Sequence, residues 1–107
     1  MAEHVQVVTT TGTRAEADAI AEAVVEARLA ACVQVVGPIT SRYWWDGAVE
    51  VAEEWLCLAK TTAGLYPDLE AAIRARHSYD EPEIVALPVV AGSRSYLDWV
   101  TRETGPR

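Results

Sequence analysis

The sequence predicts a single α+β domain of the ferredoxin-like βαββαβ kind, with an extended hairpin between its second and third strands and an additional C-terminal helix. Three observations predict it. Extended apolar runs and helix-spaced runs follow one another in the order strand, helix, strand, strand, helix, strand. Asp46-Gly47 joins two long extended segments, a strong hairpin signal. A chain of 107 residues is the size of one compact core, so residues 1–107 read as one domain.

Val5 to Thr10 is a short β-branched strand, and Thr13-Arg14-Ala15-Glu16 then has the pattern of a capping box. The helix it opens runs from Ala15 to about Ala30. Ile20, Val24, Ala27 and Ala31 form its inward stripe, and Glu16, Asp18, Glu22, Glu26 and Arg28 face water. Cys32 to Val36 is the second strand; Gly37-Pro38 interrupts it, and Thr40 to Trp45 resumes it. A two-residue turn sets Trp45 opposite Ala48 and Trp44 opposite Val49 and sends the next strand from Ala48 to about Lys60.

That strand is long. Thirteen residues at roughly 3.3 Å each reach about 43 Å, against a radius of gyration of about 13 Å for a domain of this size. The hairpin tip is therefore expected to project beyond the core. One strand face carries Val49, Val51, Trp55 and Cys57; the other changes from Glu50 and Glu54 to Leu56 and Leu58. A sheet covered by helices on one side alternates cleanly unless something covers the second side too. Another subunit is the expected cover, with Trp44, Trp45, Leu56 and Leu58 at the interface.

Pro67 suits the first turn of a second helix that buries Leu69, Ala72 and Ile73 and ends near His77. Pro82 to Val90 reads as a strand bracketed by prolines, suited to a sheet edge. Gly92-Ser93-Arg94-Ser95 opens a last short helix carrying Tyr96, Leu97, Trp99 and Val100.

The net charge of −7 argues against a nucleic-acid partner, because such binding is carried by Lys and Arg. The start of the chain lacks the pattern of a secretory leader, and no apolar run is long enough to cross a bilayer, so the expected location is the cytoplasm, without a membrane partner. Cys32 and Cys57 are too few for a disulfide framework. The hairpin register places Cys57 opposite Val36 and Cys32 opposite Thr61, about 13 Å out of step, so two free thiols are expected.

His77 stands among Tyr79, Asp80, Glu81 and Glu83. Imidazole with oxygen donors suits Cu, Zn or Ni, although a helix-terminal histidine beside solvated acids has the same sequence appearance. Cys32 is soft enough for Cu(I), or is a small buried hydrophobe; Cys57 reads as core. Lys60 beside Thr61 and Thr62 could hold an anion in a cleft between subunits, where Tyr79 and Trp45 are further ligand candidates. Trp44, Trp45 and Trp55 could stack a flat ligand, although core or interface packing is the commoner role of Trp. Arg14, opening a helix after Gly12-Thr13, could grip phosphate, but without the rest of an acylphosphatase-like loop. No hydrolase elbow, Walker loop or zincin pair is present.

Leu29-Ala30-Ala31-Cys32, Tyr43-Trp44-Trp45-Asp46-Gly47 and His77-Ser78-Tyr79-Asp80-Glu81-Pro82-Glu83-Ile84, with Lys60-Thr61-Thr62 and Tyr96-Leu97-Asp98-Trp99, together resemble the CutA family of divalent-cation tolerance proteins. Cys32 matches that family's recurrent cysteine and His77 the histidine of its histidine-proline-tyrosine motif, with Ser78 in the proline's place. The resemblance implies a homotrimer built like the PII signalling proteins, a non-enzymatic role in tolerance of divalent metals, and Cu(II) or another divalent cation as the bound ion, with no obligatory cofactor. A PII-like module binding a small molecule between subunits, or an acylphosphatase-like hydrolase, are the alternatives.

Overall fold

The hairpin dominates the shape. In the computed structural model, which describes residues 3–107, β2 (Cys32–Trp45) and β3 (Ala48–Thr62) stretch the molecule to 44 Å along its longest axis, with the other two at 25 and 22 Å. Asp46 (φ 50°) and Gly47 (φ 79°) are both left-handed, and Trp45 pairs with Ala48, as the Asp-Gly signal predicts. With β1 (His4–Thr11) and β4 (Ile84–Pro88), these strands form one antiparallel sheet in the order β2-β3-β1-β4.

Helices α1 (Arg14–Glu26) and α2 (Tyr66–Arg76), the latter entered through a 3-10 turn at Ala63–Leu65, cover one face of the sheet. Val7, Ile20, Val24, Ala30, Ala59, Leu69 and Ile73 form the core between them. A fully buried side chain such as Leu69 or Ile73 contributes about 1.5–3 kcal/mol of transfer free energy. Directly paired residues share a sheet face, so Val8, Leu56, Leu58, Val36 and Val85 lie together on the other face. Helix α3 (Arg94–Glu103) reaches one end of that face, where Tyr96 Oη is 3.5 Å from Cys32 Sγ and Thr101 Oγ1 is 2.8 Å from His4 Nε2. Among the described residues no helix is long and apolar enough to cross a membrane.

The details differ from the expectation in four places. Helix α1 stops at Glu26 instead of about Ala30: Arg28 turns left-handed (φ 63°), its N–H reaches Val25 O and that of Leu29 reaches Val24 O, each at 3.0 Å. This is a Schellman ending without its usual glycine. Second, β2 runs through Gly37-Pro38 as a bulge in which two residues oppose Trp55, so Cys57 pairs with Val35 and Cys32 with Lys60. The cysteines remain three positions out of step, about 10 Å, and both are free thiols. Third, β4 keeps only the middle of the Pro82–Val90 run. Fourth, half of the capping box forms: Thr13 Oγ1 accepts from Glu16 N at 3.1 Å, while the Glu16 carboxylate goes elsewhere.

Candidate functional site

Strand β1 ends at Thr11, paired with Trp55, so β3 from Glu54 to its tip has no β1 neighbour. The loop 77–83 comes in at that end. Gly12 leaves room for it, since a Cβ there would lie 3.1 Å from Tyr79 Oη. The Tyr79 hydroxyl donates to Glu54 Oε2 at 2.8 Å, and Glu54 is 6% exposed. Burial first, then the bond to Glu54, pushes the phenol up to about 12.

The side chain of His77 is fully buried. Its Nδ1 accepts from the Tyr79 backbone N–H at 3.2 Å, so the ring proton is on Nε2, which donates to Thr10 O at 2.8 Å. Both nitrogens are thus engaged by backbone, and the ring ties loop 77–83 to the end of β1. Ser78 completes the tie: its backbone N–H and its hydroxyl donate to the two Glu16 carboxylate oxygens at 2.7 and 3.0 Å. Glu16 Oε2 stands 3.9 Å from His77 Nδ1.

Between this loop and the hairpin lies a pocket of about 580 Å³. Tyr43 and Trp45 of β2, Glu54 of β3, and Tyr79, Asp80 and Glu81 of the loop line it. Three residues singled out from the sequence, Trp45, Tyr79 and Glu81, therefore meet at one site. Cys32 and Lys60 do not join them. They pair with each other across β2 and β3, four residues or about 13 Å along β3 from the Leu56–Thr10 pair beside the pocket. Lys60 Nζ donates to Gln34 Oε1 at 2.6 Å. Trp44, paired with Val49, stands on the opposite hairpin face from Trp45 and is 75% exposed. Leu56 and Leu58 are half-buried on the open face.

Cys57 is buried, its Sγ 3.6 Å from Ala17 O, and burial pushes its thiol up to about 11. Arg14 sits at the exposed start of α1, 3.7 Å from Asp18. Among the described residues, no three His, Cys, Asp or Glu groups converge as a metal cluster. The residues that sequence reading missed are Glu54 and Tyr43. Gly12 was a usable signal for a close approach after β1, but nothing local marks Glu54 as buried.

The family model described as CutA1 divalent ion tolerance protein matches residues 5–103. The divalent-cation tolerance protein CutA of Thermus thermophilus is 51% identical over 86 residues, 80% of this chain and 84% of the relative. Its solved structure superposes with a TM-score of 0.93 at 46% identity, covering 95% of this chain and 99% of that one. CutA1 of Oryza sativa superposes with a TM-score of 0.94 at 34% identity, covering 99% and 97%. The chloroplastic rice protein CutA 1 is longer: 40% identity over 85 residues takes in 79% of this chain and 48% of the relative, so the chain spans about half its length. A third structure, from Archaeoglobus fulgidus and described as a periplasmic divalent cation tolerance protein, has a TM-score of 0.91 at 35% identity, covering 94% and 97%. Matched in sequence over residues 5–103 and in fold over nearly its full length, the chain belongs to the CutA1 divalent ion tolerance protein family.

Proposed function

We propose that this protein is a non-enzymatic homotrimer, PII-like in architecture, that serves in tolerance of divalent metal ions by binding them, Cu(II) foremost. The observation that carries the assembly is the open sheet face, where Val36, Val85 and Leu87 are exposed beside half-buried Leu56 and Leu58. Water is a poor cover for a surface of that kind, and further copies of the chain are the natural one. The family match supports the tolerance role. Arg14, the anchor of an acylphosphatase-like alternative, is an exposed partner of Asp18, which favours binding over hydrolysis. The proposed partners are other protomers and metal ions, not nucleic acid or membrane, and the proposed location is the cytoplasm.

The donors fit copper only in part. Glu81 offers a carboxylate at the pocket, Cys32 a thiol at the far end of the open face, and His77 a nitrogen only if its ring leaves Thr10 or Tyr79. We therefore assign the ion to groups that meet between protomers. Isothermal titration with Cu(II), Zn(II) and Mg(II) of the parent, His77→Ala, Cys32→Ser and Glu81→Gln tests this. Saturable copper uptake, weakened about tenfold or more in at least one variant, is expected. Non-saturating uptake of all three ions would remove the metal reading.

A second reading, a signalling module for a small molecule, is favoured by the pocket that gathers Trp45 and Tyr79. Lys60, tied to Gln34, is outside it.

A further inference from the structure

We infer that the pocket at the root of the hairpin binds a small organic cation with a flat body, in chemical class an arylalkyl amine or an aromatic amidine. This gives the small-molecule reading a ligand class, and it stands whether or not the protein binds divalent metals.

Charge is the first argument. Glu54, Asp80, Glu81 and Glu83 line the pocket against a single guanidinium, that of Arg42. Asp80, Glu81 and Glu83 are exposed; Glu54 is not. It is more than nine-tenths buried, and its side-chain hydrogen bond comes from the neutral hydroxyl of Tyr79. A buried carboxylate whose side-chain bond comes from a neutral hydroxyl is a favourable neighbour for a cation placed in the pocket.

Shape is the second. Tyr43 and Trp45 project from the same face of the hairpin as Glu54, since Tyr43 pairs with Glu50, Trp45 with Ala48 and Ile39 with Glu54. In the single protomer they are 41% and 52% exposed. Aromatic faces beside a buried negative charge attract cations and shelter flat apolar bodies. Size is the third. A pocket of about 580 Å³ lies within the range of small-molecule sites. It is far larger than one metal ion, and its carboxylates do not converge as a metal cluster among the described residues.

The test uses the full chain at pH 7, titrated with benzylammonium, benzamidinium, benzyl alcohol and benzoate and followed by calorimetry and tryptophan fluorescence. Both cations are expected to saturate one site per protomer, with the alcohol about tenfold weaker or worse and benzoate silent. Glu54→Gln keeps an acceptor for Tyr79 and should lose about tenfold in cation affinity. Should that variant unfold, Asp80→Asn with Glu83→Gln, both on the exposed loop, must weaken the cations in its place. Equal affinity for alcohol and ammonium, no binding of either cation, or unaltered affinity in the charge variants would overturn the inference. Copper titration of the same sample keeps the two ideas apart: cation binding without copper uptake sustains the pocket and removes the metal, and copper uptake without cation binding does the reverse.

Discussion

Ser78 does what a proline in its place could not do. Its N–H and hydroxyl both hold Glu16, joining the first turn of α1 to the loop that carries His77 and Tyr79. Hydrogen bonds to a charged group contribute about 1.5–3 kcal/mol when well made. Ser78→Pro removes both and is expected to lower unfolding free energy by about 2–3 kcal/mol, while Ser78→Ala removes only the hydroxyl bond and costs about half as much. Denaturant unfolding of the pair checks this, and equal stability of the parent and the proline variant would mean that the Glu16 tie contributes nothing. At this scale the site was half legible. His77, Ser78, Tyr79 and Glu81 announce themselves by lying close together in the chain. Their partners do not: Tyr79 meets Glu54 across 25 residues and His77 meets Thr10 across 67, contacts that only the assembled sheet creates.

Elements were more legible, because patterns of period two and 3.6 survive whatever packs against them. The Asp46-Gly47 turn and the edge position of β4 both follow from local chemistry. The end of α1 did not, since the left-handed residue that stops it is Arg28, where glycine would have been the signal. The bulge was visible as Gly37-Pro38, yet its effect on register depends on Trp55. A Cβ on Gly37 would lie 2.4 Å from Trp55 Cδ1, so the glycine is where the indole packs over the bulged strand. Gly37→Ala is expected to cost about 1–3 kcal/mol by displacing that ring. Chemical denaturation followed by tryptophan fluorescence measures it. Gly64→Ala, where nothing lies within 4 Å, is the matched control and should cost little.

For the whole molecule, the decisive feature is the imbalance between the two faces of the sheet. Helices α1 and α2 seal one. On the other, α3 reaches only one end, leaving Val85 and Leu87 of the edge strand 45% and 47% exposed, while the hairpin extends Trp44 and Val49 into water. In the proposed trimer, pairing of protomers across this face would shelter Val85 and Leu87, while Trp44 and Val49, on the opposite face of the hairpin, would be covered by the 44 Å reach of one copy around the next. Light scattering is expected to give three times the 11.7 kDa chain mass. Leu87→Asp puts a charge on an already exposed position, so the protomer's circular dichroism should be unchanged. Against a neighbour's apolar surface the same charge must lose its water, and the concentration for half-assembly should rise about a hundredfold. A parent that scatters as one chain would refute the trimer. An assembled parent whose mass ignores Leu87→Asp would move the interface off the open face and onto the hairpin alone.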